Sequence, residues 1–75
     1  MDSLTIEQMI RAGLPDAEVE VKGEDGVHFE AVVRSAAFEG KNTLARHRLV
    51  YATLGDKMGH EIHALALRTE LPEAD

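Results

Sequence analysis

The absence of cysteine restricts this chain more than any other feature, because the chain has only 75 residues. A chain of this length buries roughly 60% of the surface that it exposes when unfolded, so its hydrophobic core is small. Small secreted domains usually compensate with disulfides, which this chain cannot form. It also cannot supply a four-cysteine zinc site, a thiol nucleophile or the thiolates of an iron–sulfur cluster. We therefore expect one domain over residues 1–75, folded around an apolar core in a reducing cytoplasm.

Targeting and membrane segments are not expected in this sequence. Residues 1–7 lack the basic and apolar regions of a signal peptide. No apolar run approaches the roughly 20 residues that a membrane-spanning helix needs.

The charged residues are unevenly distributed. The formal net charge is −6, which disfavours non-specific nucleic-acid binding because neutralising phosphates requires clustered Lys and Arg. Residues 34–51 nevertheless form a basic segment, in which Arg34, Lys41, Arg46 and Arg48 outnumber the single acidic residue Glu39. A solvated helix face is the more ordinary explanation of these charges. The basic segment therefore leaves nucleic-acid binding as one open interpretation.

Hydrophobic periodicity predicts the order of the secondary-structure elements. Apolar residues that recur with the period of a helix, about 3.6 residues, predict helices over residues 5–12 and 43–54, with a short helical turn or loop at 55–59. Thr5 and Gln8 fit a capping box, Gly13 fits the left-handed position after the first helix, and Asn42 or Thr43 caps the second. Alternation of apolar and polar residues predicts strands over residues 17–22, 27–35 and 62–69.

These elements predict a small α/β (α+β) domain with the order αββα(α)β. The turn at residues 23–26 makes the first two strands a hairpin, and the helical crossover makes strands 2 and 3 parallel. Helices then cover one face of a three-stranded mixed sheet. Phe38 is the only large apolar anchor in the connection after strand 2, and Ile62 shares a strand face with Ala64.

No catalytic motif in the sequence has the residue spacing that its chemistry requires. Residues 40–43 lack the spacing of a phosphate-binding P-loop, and His60 and His63 lie one residue too close for a zincin helix. His47 falls on the inward side of the second helix with Val50 and Tyr51, whereas Arg46 and Arg48 flank it and face water. We expect a binding module and not an enzyme.

Several stretches resemble the BolA family. They are Gly-Val-His-Phe at 26–29, Phe-Glu-Gly at 38–40, Leu-Ala-Arg-His-Arg-Leu-Val-Tyr at 44–51 and Ile-His-Ala-Leu-Ala-Leu-Arg-Thr at 62–69. The resemblance covers residues 4–73 with the motifs in order. It implies an αββααβ fold similar to a class II KH domain, in agreement with the predicted element order.

The resemblance also implies a function. BolA-like proteins pair with monothiol glutaredoxins and share a glutathione-ligated [2Fe–2S] cluster, in iron–sulfur trafficking, iron homeostasis and stress response. The family ligand is the His of the Ile-His-Ala-Leu strand, which is His63 here. A neutral imidazole is a good iron ligand. We thus expect a chain that is monomeric and cofactor-free alone, and that forms a heterodimer with its partner.

The second family ligand is a His or Cys between strands 1 and 2, and this sequence departs from that pattern. Residues 23–26 contain neither, so His28 is the nearest candidate and Asp25 a weaker one. Lys41, Arg46, Arg48 and Arg34 are candidate contacts for the partner, for glutathione carboxylates or for nucleic acid. A transcriptional regulator that binds DNA through residues 34–51 is the alternative function. Against it, residues 40–43 lack the Gly-x-x-Gly loop of KH domains.

Overall fold

A computed structural model describes residues 1–23, 25–62 and 64–73 of the chain. Within these residues, two α-helices, three strands and two short 3-10 turns follow one another. They are α1 (Ser3–Gly13), β1 (Glu18–Lys22), β2 (His28–Arg34), a 3-10 turn (Ala36–Phe38), α2 (Thr43–Leu54), a second 3-10 turn (Gly55–Lys57) and β3 (Ala64–Glu70). The predicted α+β element order is confirmed.

The sheet has β2 at its centre. β1 pairs with β2 in antiparallel register, with Val19 opposite Val33. β3 pairs with β2 in parallel register, with Phe29 opposite Leu65. Both predicted pairings are therefore correct, and β1 and β3 are the two edges of the sheet.

The core lies between the helices and one face of the sheet. Odd-numbered strand residues point into it because side chains alternate along a strand. The buried apolar residues include Ile6 and Ile10 of α1, Val50 and Leu54 of α2, and Val19, Phe29 and Val33 of the sheet. The even-numbered strand residues form the opposite face, which we call the open face. Most of its side chains are exposed, so the helices of the described residues cover one face only.

The start of α1 differs from the prediction. Asp2 caps the helix, because its carboxylate accepts a 2.8 Å hydrogen bond from the backbone N–H of Thr5. Thr5 itself lies inside the helix, so the predicted capping box is wrong. Gly13 also belongs to the helix instead of following it. A Cβ atom at Gly13 would lie 2.5 Å from Cγ2 of Thr53, so glycine is required here by the close approach of α2.

The connections carry two large core residues. Phe38, the predicted anchor, is fully buried in the 3-10 turn after β2. Asn42 caps α2 by accepting a hydrogen bond from the N–H of Ala45, which decides between the two predicted caps. Ile62 is also fully buried and forms a bridge with Met58 before β3 begins. Ile62 therefore lies in the core and before the strand, so the prediction that it shares a strand face with Ala64 is wrong. In the described part of the chain, neither helix has the length and apolar character to cross a membrane.

Candidate functional site

The candidate ligand His28 and Arg34, the first residue of the basic segment, lie at opposite ends of β2. The strand begins at His28 and ends at Arg34, and it pairs with β3 from Ala64 at the first end to Glu70 at the other. Six steps along a strand cover about 20 Å. The candidate ligand His28 and the start of the basic segment therefore do not belong to one compact site.

His28 is held by the turn that precedes it. The carboxylate Oδ1 of Asp25 accepts hydrogen bonds from the backbone N–H groups of Val27 and His28, at 2.9 and 2.8 Å. Its Oδ2 lies 2.7 Å from Nδ1 of the His28 ring. The His28 side chain is 62% exposed, and Phe29, the next residue, is buried. Asp25 therefore holds the ring, which stands on the open face, as strand parity predicts.

The Asp25 carboxylate determines which ring nitrogen of His28 carries a proton. Hydrogen bonds from the His28 backbone N–H, from the His28 side chain and from the Val27 N–H lower the pKa of Asp25 well below its usual range. An ionised carboxylate only accepts hydrogen bonds, so the Nδ1 that faces it is the protonated nitrogen. Ligation of a metal by His28 would consequently use Nε2, with Asp25 orienting the ring. Asp25 is better placed for this supporting role than for ligation.

His63 lies outside the described residues. Its sequence neighbours are Ile62, which is buried, and Ala64, which is half-buried and pairs with His28 at the start of β3. No group of three or more His, Asp or Glu residues in the described ranges could hold a metal ion. A metal bound at this end of β2 would therefore need donors other than those of the described residues.

A shallow groove leads along the open face to His28. It has a volume of about 470 Å³ and is lined by Lys22, Gly23, His28, Phe29, Glu30, Ala64 and Ala66. The two alanines are small, which leaves the sheet surface low beside the His28 ring. Gly23 is required here, because a Cβ atom would lie 2.3 Å from the Phe29 ring. A partner surface can approach His28 from this side.

Two of the four basic residues that were predicted to contact a partner form hydrogen bonds or ion pairs within this chain instead. Nε of Arg34 lies 2.8 Å from a carboxylate oxygen of Glu70, and Glu18 lies 3.8 Å away on the other side. The hydrogen bond with Glu70 raises the pKa of Arg34. Nε of Arg46 donates to the backbone carbonyls of Phe38 and Lys41, at 3.2 and 2.9 Å. The prediction that Arg46 faces water is therefore wrong: it is half-buried and holds the loop before α2.

Lys41 and Arg48 are the other two basic contacts. Both side chains are exposed, and neither forms an ion pair with any residue that the structure describes. His47 is half-buried, with its ring edge-on to Tyr51 at a centroid distance of 6.2 Å. The contact agrees with the prediction that His47 lies on the inward side of α2 with Tyr51. The basic segment of the described chain thus presents two available cations, not four.

Sequence reasoning did not find the supporting role of Asp25. The available signal was an Asp three residues before a His across a glycine turn, because Asp side chains commonly accept hydrogen bonds from backbone N–H groups two or three residues ahead. It also missed the contact of buried Ser35 with Asp16, whose carboxylate oxygens lie 3.1 and 3.0 Å from the Ser35 hydroxyl. These residues are far apart in the sequence, and no local pattern joins them.

Two helices on one face of a three-stranded mixed sheet, with an exposed carboxylate-supported histidine at one end, define a small α+β domain. A family model for BolA-like proteins matches residues 8–74. The chain therefore belongs to the BolA family, which confirms the resemblance found in the sequence.

Individual relatives agree with this assignment. BolA-like protein 1 of Homo sapiens is 36% identical in an alignment of 80 positions that covers 89% of this chain and 58% of the human protein. The DNA-binding transcriptional regulator BolA of Escherichia coli K12 is 36% identical over 73 residues, covering 85% of this chain and 70% of that protein. A solved BolA homologue from Coxiella burnetii has a TM-score of 0.86 at 48% identity, over 96% of this chain and 92% of that one. The chain thus spans less than two thirds of the mammalian relative.

Proposed function

We propose that this chain is a non-enzymatic cytoplasmic partner of a monothiol glutaredoxin, with which it shares or delivers a glutathione-ligated [2Fe–2S] cluster. Membership of the BolA family supports the proposal, since that resemblance implies this role for His63. The structural observation that carries it is the Asp25–His28 pair at the start of β2. A carboxylate hydrogen-bonded to a histidine ring is the arrangement that commonly supports metal-ligating histidines.

The donor chemistry of the chain fits a shared cluster. The chain has no thiolate, so it contributes imidazole nitrogen and the thiolates come from glutaredoxin and glutathione. Replacing thiolate by histidine on a [2Fe–2S] centre raises its reduction potential. In this proposal His63 is the main ligand, His28 is the second, and Asp25 positions the His28 ring. Lys41 and Arg48, which are exposed, would contact an acidic region of the partner.

Spectroscopic titration with a cluster-loaded monothiol glutaredoxin tests the proposal. Adding the wild-type chain should change the visible absorption and circular dichroism of the cluster. His63→Ala should abolish the change, and His28→Ala should weaken it. Asp25→Asn keeps the side-chain size but removes the charge, and should weaken cluster sharing by about 10- to 100-fold. His60→Ala, at another exposed histidine, is the matched control and should behave as wild type.

The outcomes separate the parts of the proposal. Identical spectra for wild type and His63→Ala would reject His63 as a ligand. A His28→Ala variant that matches His60→Ala would reject the second site while leaving the first. The absence of any spectral change with wild type would reject cluster sharing altogether.

DNA binding is the second candidate function. The Escherichia coli relative is named as a DNA-binding transcriptional regulator, and Lys41 and Arg48 are exposed cations on this chain. Each phosphate contact contributes a slope of about −0.9 to log K against log salt, so two contacts give about −1.8. A salt titration of duplex binding by fluorescence anisotropy measures this slope. Lys41→Ala with Arg48→Ala should remove it, while Arg34→Ala should change it little, and undetectable binding at low salt would reject the function.

A further inference from the structure

The charges on the open face are arranged differently at its two ends. At the end where β2 finishes, Arg34 lies between Glu18 and Glu70, at 3.8 and 2.8 Å, and Arg68 lies 3.0 Å from the same Glu70. At the end where β2 begins, the exposed Glu30 forms no ion pair with any residue that the structure describes. The charges at the first end are therefore neutralised within the chain, whereas that of Glu30 is not.

Lys22 stands directly opposite Glu30 across β1 and β2. Both side chains are exposed, and both line the groove of about 470 Å³ beside His28. The Lys22 ammonium lies 3.6 Å from a carboxylate oxygen of Glu20, but both groups are largely exposed, and such a pair contributes little to stability. The groove therefore presents one cation and one anion to a ligand.

Two opposite charges at this spacing fit the zwitterionic head of an amino acid. Directly opposite residues of antiparallel strands have Cβ atoms about 4.5–5.5 Å apart. Lys22 and Glu30 are therefore close enough for an ammonium and a carboxylate on one carbon atom to contact both of them. A ligand that carries negative charge alone would be attracted by Lys22 but repelled by Glu30. The floor of the groove includes the small residues Gly23 and Ala66, which leave room for the ligand.

The distance from this charge pair to His28 fits a γ-glutamyl thiol peptide. His28 precedes Glu30 by two residues, so it is the diagonal neighbour of Lys22 on the same face. Diagonal neighbours in an antiparallel pair lie about 7–8 Å apart. Glutathione is γ-glutamyl-cysteinyl-glycine, and its first two residues span about 7 Å when extended. A glutathione whose sulfur lies beside the His28 ring therefore brings its γ-glutamyl head to Lys22 and Glu30.

We propose that Lys22 and Glu30 bind the γ-glutamyl head of glutathione, with Lys22 on the α-carboxylate and Glu30 on the ammonium. The inference rests on the proposed function, in which a glutathione thiolate and His28 ligate the same cluster. It replaces the expectation that cations of the basic segment contact the glutathione carboxylates. None of the four cations of residues 34–51 lines this groove.

An NMR titration of the isolated chain with S-methylglutathione tests the inference. Amide shifts should be centred on Lys22, Gly23 and Glu30 and should saturate. Lys22→Met and Glu30→Gln each remove one exposed ion pair with the ligand and should each raise the dissociation constant by about 1.4- to 5-fold. Arg68→Met and Glu18→Gln, exposed charges elsewhere on the open face, are the matched controls and should bind as wild type.

A second ligand tests the contact of Glu30 with the ammonium. N-acetyl-S-methylglutathione lacks this positive charge, so it should bind wild type about 1.4- to 5-fold more weakly than S-methylglutathione. Glu30→Gln should not weaken its binding further. Equal binding of the two ligands by wild type would overturn the assignment of Glu30.

Three other results would overturn the inference. They are the absence of saturable shifts in the groove, Lys22→Met and Glu30→Gln variants that bind as tightly as the controls, and shifts centred on Lys41 and Arg48 instead. A methylated sulfur supplies no thiolate to a cluster, so this titration is independent of cluster sharing. Failure of the titration would leave the spectroscopic test of the proposed function standing. An unchanged cluster spectrum would reject the proposed function while S-methylglutathione still bound in the groove.

Discussion

Replacing Gly13 by alanine should destabilise the protein, although the same change at most helical positions is stabilising. A Cβ atom at this position would lie 2.5 Å from Cγ2 and 2.9 Å from Cβ of Thr53 on α2. Thr53 has a branched side chain with little freedom, and its hydroxyl donates to the carbonyl of Val50 at 2.6 Å. Relief of the clash therefore requires α1 and α2 to separate.

The magnitude follows from two opposing terms. Overpacking typically costs about 1–3 kcal/mol, and replacing glycine by alanine in a helix returns about 0.5–1 kcal/mol. At the middle of both ranges, the net loss is about 1 kcal/mol in the free energy of unfolding. A domain of this size loses about 4–8 °C in Tm for each kcal/mol. The protein as a whole has only about 4–11 kcal/mol of stability at the usual value per residue, so the effect is readily measured.

Urea denaturation followed by far-ultraviolet circular dichroism measures this loss. Ala12→Gly, at the exposed neighbouring position, is the control for helix propensity alone and should cost about 0.5–1 kcal/mol. Thr53→Ser removes Cγ2 and keeps the hydroxyl, so it should recover part of the loss in the double variant with Gly13→Ala. A Gly13→Ala variant as stable as wild type, or a double-mutant cycle without coupling, would refute the close-approach argument.

Three further substitutions test the core, the polar contact at the end of β2 and the first helix cap. Phe38→Ala should cost about 3–5 kcal/mol in urea denaturation, because Phe38 is fully buried, and a cost below about 1 kcal/mol would contradict its role as anchor. Ser35→Ala should lower the free energy of unfolding by about 1–3 kcal/mol in the same assay, since the buried hydrogen bonds with Asp16 and Ala37 are lost. An unchanged denaturation midpoint would contradict this expectation. Hydrogen bonding with Thr5 lowers the pKa of Asp2 below its ordinary 3.8. The ionised cap therefore stabilises the fold fully when the pH is above 3.8. This stabilisation is lost as the pH falls through the lowered pKa. Melting temperatures between about pH 5 and about pH 2 should therefore fall more steeply for wild type than for Asp2→Asn, and parallel curves would contradict the cap.

The structure changes the interpretation of the basic segment. The sequence shows four cations within residues 34–51, but Arg34 is paired with Glu70 and Arg46 is bonded to backbone carbonyls. Two cations remain available on the described surface, and His28 lies at the other end of β2 from the start of this segment. This arrangement weakens the case for a nucleic-acid interface at residues 34–51. It leaves the case for a histidine site unchanged, because that site does not use the basic residues.

Local sequence patterns predicted the secondary structure correctly where neighbouring residues determine it. The limits of α2 agree with the prediction at both ends, because its cap Asn42 and its apolar period are contained in the segment itself. The hairpin between β1 and β2 follows from a glycine turn between two alternating segments. The predictions failed for Ile62 and Thr5. Strand parity was extended to Ile62, which lies before β3 begins. The capping box was placed on Thr5, whereas Asp2, three residues earlier, caps the helix.

The sequence by itself determined the element order, the parallel and antiparallel pairings and, from the absence of cysteine, that these 75 residues supply no thiolate ligand. These features depend on periodicity, turn residues and composition, which act over a few residues or over the whole chain. Only the tertiary structure decided that Arg34 is paired, that Arg46 is bonded to the loop, and that Asp25 holds His28 through Nδ1. Hydrogen bonds and ion pairs depend on distances of a few ångströms and on the orientation of each group. Such distances exist only after the strands and helices have packed.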